Sequence, residues 1–141
     1  MSVHRWTSAT VEWLVARLDA FRAGVRPTTL AEVERARDPF RLLVACVISL
    51  RTKDEVTAAA SARLFGAAAT PAGVALLDEP RIAALIFPAG FYRTKARQIR
   101  SLSHLLLERH GGRVPAGREA LLALPGVGRK TANLVLGLGF G

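Results

Sequence analysis

Apolar residues recur at helical spacing along almost the whole chain, and no stretch keeps the two-residue alternation of a half-buried strand for long. Val11, Leu14, Val15, Leu18 and Phe21 share one face of a predicted helix that starts near Ser8 and stops at Gly24 and Pro27. Residues 30–37 predict a weaker helix, short and heavily charged. Asp38-Pro39 pairs an N-cap with proline at the first helical position. The helix opened there, over 40–50, is apolar on nearly all sides, the pattern of a helix in the middle of a bundle. Thr52-Lys53-Asp54-Glu55 predicts a capping box ahead of an Ala-rich helix that runs to Gly66. Thr70-Pro71 caps a short helix, and Pro80 opens another that Pro88 and Gly90 end. The longest helix spans 92–110, with Ala96, Ile99, Leu102 and Leu106 on one face and Gly111-Gly112 as its stop. A short helix over 118–124, a tight turn at Pro125-Gly126-Val127-Gly128 and a last helix from about Arg129 complete an all-α reading.

Composition adds a partner class. Half of the 141 residues are apolar, enough for a core and too many for a disordered chain. The net charge is +9, and 17 of the 20 basic residues are Arg. A strongly basic small body suits a polyanion, most often nucleic acid, and the guanidinium fork suits phosphate. A GC-rich coding sequence gives the same Arg bias, so composition leaves both readings open. The single cysteine, Cys46, allows no internal disulfide and no cysteine-rich metal site. The first residues lack the apolar core of a signal peptide, and no apolar run has the length of a membrane span. These features predict a soluble chain of the cytoplasm.

The segment Leu124-Pro125-Gly126-Val127-Gly128-Arg129-Lys130-Thr131-Ala132 carries the candidate chemistry. Two glycines two apart let the backbone turn sharply between helices. Val127 is expected to plug the space between them. The amides of Gly126, Gly128 and the next first turn then point outward as an anion nest at the helix's positive end. Such a nest holds a DNA phosphate without reading bases. A nucleotide-binding P-loop is excluded, because Arg129 separates Gly128 from Lys130 and residue 123 is Ala.

This nonapeptide resembles the helix-hairpin-helix of the endonuclease III family of DNA glycosylase/AP lyases. Three further segments carry the resemblance. Ile48-Ser49-Leu50-Arg51-Thr52-Lys53-Asp54 is similar to the family's LSxQxxD helix end and loop. Gly90-Phe91-Tyr92-Arg93-Thr94-Lys95-Ala96 is similar to its GLYNSKA loop, and Gly112-Arg113-Val114-Pro115 to its GxVP. The resemblance implies a six-helix barrel over 28–141, with the helix-hairpin-helix at 118–140. Residues 1–27 would then be an N-terminal helix of an incomplete second domain of the iron–sulfur type.

The resemblance also implies base-excision repair of oxidised pyrimidines and abasic sites in double-stranded DNA, with Lys130 as the Schiff-base nucleophile. Phe91 matches the family's apolar wedge, and Arg51 falls where the family usually carries Gln to fill the gap in the base stack. Arg129 and Thr131 join Gly126, Val127 and Gly128 as candidate DNA-binding residues. Arg93, Lys95 and Arg97 are further candidates for phosphate contact. A core aromatic at 91, a surface lysine at 130 and merely solvated charges elsewhere are the plainer readings of the same residues.

The sequence departs from the family pattern in two places. The family's site is completed by an aspartate about two decades after the lysine, but residues 131–141 contain no acid. The four-cysteine loop of an iron–sulfur cluster is also missing, so no cofactor is expected in this chain. The apolar run after Thr131 ends on Gly139-Phe140-Gly141 with no polar tail, as a cut inside a longer protein would look. The expectation is therefore an inactive or weakly lyase-active chain. The alternatives are a non-catalytic DNA-binding module, or a partner-binding fragment that associates through Trp6, Trp13 and the N-terminal helix.

Overall fold

The computed structural model describes residues 38–139. The helices expected within 1–37, and with them the proposed second domain and its tryptophan face, lie outside the described residues. Seven α-helices and one terminal π-helical turn make up the regular structure of the described part.

Helix α1, Pro39–Ser49, is the central one. The Asp38 carboxylate accepts a hydrogen bond from the Arg41 amide at 3.2 Å, and Pro39 occupies the first turn, where no backbone donor is needed. Phe40 and the unbroken run Leu42–Ile48 are buried. An all-apolar helix buries all its sides only when neighbours surround it, and α2, α5, α7 and the π-turn do so.

Helix α2, Asp54–Ala67, turns Thr57, Ala58, Ala60, Ser61, Leu64 and Phe65 inward. Its start differs from expectation. No side chain caps it, and the capping box read from Thr52 and Glu55 does not form. The Thr52 hydroxyl is engaged elsewhere, as described below.

Helices α3, Pro71–Ala75, and α4, Glu79–Ile86, are each capped by a side chain. The Thr70 hydroxyl accepts from the Gly73 amide at 3.1 Å, and the Asp78 carboxylate accepts from the Arg81 amide at 2.9 Å. Asp78, two residues before the predicted start at Pro80, is thus the cap, and Pro80 sits inside the first turn.

Both helices pack on α5, Tyr92–His110, which buries Lys95, Ala96, Ile99, Leu102, Ser103 and Leu106. Gly111 and Gly112 end it at φ +61° and +80°, and the Gly112 amide donates back to the Leu106 carbonyl at 2.8 Å. Only glycine takes this double left-handed exit at no steric cost. Helices α6, Arg118–Leu122, and α7, Arg129–Leu134, flank the hairpin. The predicted last helix widens at Val135 into a π-turn, Val135–Gly139, and Leu134 and Val135 are buried.

Several arginines spend their donors on the fold itself, whether exposed (Arg63, Arg118) or half-buried (Arg41, Arg100). Arg63 donates to the carbonyls of Leu85 and Phe87, closing the end of α4. Arg100 donates to the Leu77 carbonyl at 3.1 Å, and Arg118 to the Asn133 amide oxygen at 2.7 Å. Arg41 pairs with Asp38 at 3.2 Å. Part of the arginine excess therefore satisfies helix ends, which lack intrahelical partners.

Candidate nucleic-acid interface

Two loops at the ends of helices carry the candidate residues, and α5 spaces them. The first is the hairpin between α6 and α7. Gly126 has φ +78°, a left-handed conformation, and a Cβ there would meet the Gln98 side chain at 2.9–3.0 Å. Conformation and packing against α5 both call for glycine. Val127 is only 8% exposed, with its amide donating to the Leu124 carbonyl at 3.2 Å. Its side chain belongs to the hydrophobic core, so it presents nothing to a ligand.

Gly128 is different. Its φ of −100° and ψ of −175° are open to any residue, and a Cβ there would meet nothing within 4 Å. The fold does not need glycine at 128. Its missing side chain leaves bare backbone on the outer side of the turn. The amides of Arg129, Lys130 and Thr131 follow as the first turn of α7, where intrahelical partners do not exist. Arg129 and Lys130 are exposed. Thr131 is not: it is 3% exposed, so only its amide, not its side chain, belongs with the interface.

The second loop pair brings together residues 40 apart in sequence. Arg51, after α1, and Phe91, before α5, are the two non-glycine residues with positive φ among those described, at +54° and +55°. Each such residue costs roughly 1–2 kcal/mol of local strain. The Arg51 guanidinium carbon lies 5.7 Å from the centroid of the Phe91 ring, within cation–π range. Phe91 is 63% exposed, so it is no core aromatic. Gly90 lets the loops touch, since a Cβ on it would come within 2.5 Å of the Arg51 carbonyl oxygen.

Beneath this pair lies Lys95, 4% exposed. It does not face solvent as a phosphate-contacting residue would. Its ammonium donates to the carbonyls of Ile48, at 2.8 Å, and Leu50, and to the Thr52 hydroxyl at 3.0 Å. Thr52 in turn accepts from the Gly90 amide at 2.9 Å. The hydroxyl read as a helix cap is therefore a bridge between two loops.

Burial pushes Lys95 down from its ordinary 10.5 to about 8. Below pH 8 both folded and unfolded chains hold the proton, and the ammonium's desolvation weighs fully against the fold. Between about 8 and 10.5 only the unfolded chain holds it, so stability rises with pH through this window. The unfolding free energy of the wild type, relative to Lys95→Met, is expected to increase from pH 7.5 to pH 9.5 in urea titrations. A constant or shrinking difference contradicts this.

Sequence reasoning offered Lys95 as a phosphate contact rather than a buried bridge, and it missed Gln98. The signal for the first was present. Residues 95, 99, 102 and 106 fall on one helical stripe, and the other three are Ile99, Leu102 and Leu106. Arg93 and Arg97, off that stripe, are exposed as expected. Arg93 lies 5.6 Å from the Tyr92 ring.

The sequence profile of the HhH-GPD superfamily of base excision DNA repair proteins matches residues 44–137, which include both loops and the hairpin. The chain belongs to this superfamily. Endonuclease III of Thermotoga maritima is 50% identical over 103 residues, 73% of this chain and 48% of the relative. The chain spans about half the length of the curated relatives it matches.

Among solved structures, a non-covalent endonuclease III–DNA complex superposes with a TM-score of 0.73 at 31% identity, covering 96% of this chain and 61% of that one. A trapped endonuclease III–DNA covalent intermediate gives the same score and identity, covering 96% and 62%. The HhH-GPD fold is thus present in the described helices. A four-cysteine iron–sulfur cluster does not fit these residues, because the one cysteine, Cys46, is buried in α1. No group of His, Cys, Asp and Glu among the described residues is placed to hold a metal ion.

Proposed function

We propose that this chain is the DNA-gripping part of a base-excision DNA glycosylase with AP-lyase chemistry, acting on abasic sites and oxidised pyrimidines in duplex DNA. The observation that carries the reading is the hairpin. Lys130 is exposed in the first turn of α7, two residues past a glycine that the fold itself does not require. Bare backbone and first-turn amides suit a phosphate, and an amine beside them suits attack on the sugar that phosphate holds. The endonuclease III relatives and the DNA complexes of that enzyme support the assignment.

In this reading the hairpin grips the backbone through Gly126, Gly128, Arg129 and the amide of Thr131. Arg51 and Phe91 enter the duplex as a stacked pair beside the extruded nucleotide. Gln98, under Gly126, lies seven residues along α5 from Phe91, about 10 Å at the helical rise. That separation lets one rigid helix hold grip and probe on the same few nucleotides. No described helix is long and apolar enough to cross a membrane, and we assign the chain to the nucleoid in the cytoplasm.

The grip is tested by salt. With about five phosphates engaged, the logarithm of duplex affinity is expected to fall against the logarithm of salt with a slope of about −4 to −5. Affinity that stays flat from low to physiological salt contradicts it. The lyase step is tested by reductive trapping on abasic DNA, for which the expected result is a covalent adduct through Lys130.

A further inference from the structure

We propose that Lys95 is a positioning residue that holds Arg51 against Phe91 and so shapes the probe that enters the duplex. The inference rests on the reading of that pair as the DNA-entering element. Lys95 reaches both partners. Its backbone amide donates to the Phe91 carbonyl at 2.9 Å. Its ammonium bonds the residues on either side of Arg51, the Leu50 carbonyl and the Thr52 hydroxyl. Thr52 completes the loop by accepting from the amide of Gly90, next to Phe91.

Two non-glycine residues in left-handed backbone persist only where their surroundings over-determine them. Here the Lys95 ammonium braces the turn at Arg51, and Thr52 ties that turn to the residue before Phe91. The ammonium also sits at the C-terminal end of α1, against the Ile48 carbonyl, where the helix dipole favours a cation. Lys95 is too buried to touch DNA itself. Its influence on DNA must pass through the two loops it joins.

The test compares two duplexes under one salt condition, one intact and one carrying a tetrahydrofuran abasic analogue, by fluorescence anisotropy with the full chain. The wild type is expected to prefer the abasic duplex. Lys95→Met keeps the shape and removes the donors. It is expected to lower that preference about tenfold while leaving affinity for intact duplex within about twofold, because the hairpin is untouched. Thr52→Val is expected to lower the preference about threefold, and Lys95→Gln, which keeps two N–H donors, to fall between the wild type and Lys95→Met.

Folded Lys95→Met or Thr52→Val protein that retains the full preference overturns the inference. Equal losses on both duplexes also overturn it, since they mark a general loss of structure. If Lys95→Met does not fold, Thr52→Val decides alone. A wild type without any preference overturns this inference and the reading of Arg51 and Phe91 together; a preference that the variants keep overturns only the inference.

Discussion

Gly90→Ala is expected to destabilise the protein by about 2–3 kcal/mol, the upper part of the range for overpacking. The added methyl would lie 2.5 Å from the Arg51 carbonyl oxygen and 3.2 Å from the Thr52 hydroxyl. The first contact is with backbone, which cannot swing aside as a long side chain does. One loop must move, and each candidate movement breaks something. Shifting the 50–52 turn strains the bonds from Lys95, and shifting residue 90 lengthens its bond to Thr52. Urea unfolding of wild type and variant checks this, and a loss below about 0.5 kcal/mol contradicts the close approach of the loops.

Gly128→Ala provides the contrast. Its methyl meets nothing, so stability should be unchanged within about 0.5 kcal/mol. Where the bare backbone receives a phosphate, the same methyl stands in the ligand's place.

The helices were readable in the sequence because their signals are local. Asp38-Pro39, Thr70-Pro71 and Gly111-Gly112 each fix one helix end through a bond within six residues. The hairpin was readable for the same reason. Arg51 and Phe91 read as residues of two separate loops, as the structure has them, but nothing local shows that they touch. Their left-handed backbones are imposed by contacts between residues about 40 apart. Thr52 shows the competition directly. A local rule assigns its hydroxyl to the α2 amides, yet a buried ammonium and a loop amide take it instead. Arginine count misleads in the same way, since Arg63, Arg100 and Arg118 spend donors on the fold's own carbonyl and amide oxygens.

Lys130→Ala carries the largest expected effect on chemistry. In an abasic nucleotide the ring-opened sugar presents a C1′ aldehyde. In the proposed lyase step the Lys130 amine adds to that carbon, a proton is taken up from solvent, and water leaves as the protonated imine forms. The imine draws electrons from C2′, whose proton passes to water. The C3′–O bond then breaks, the phosphate departs, and the strand is cut. Alanine at 130 removes the attacking nitrogen and none of the amides of the turn. Strand cleavage is expected to fall by at least about a hundredfold, with duplex affinity kept within about tenfold. Arg129, exposed beside it, and the first turn of α7 remain to hold the backbone.

The most direct measurement is the site of the trapped adduct. Borohydride delivers hydride to the imine carbon and converts it into a stable secondary amine. After incubation with abasic duplex, the adduct is digested and located by mass spectrometry. The predicted result is a sugar remnant on Lys130, absent from Lys53, Lys95 and the N-terminal amine, and lost in Lys130→Ala. An adduct on another amine, or trapping that persists in Lys130→Ala at the wild-type level, would contradict the assignment of Lys130 as the nucleophile.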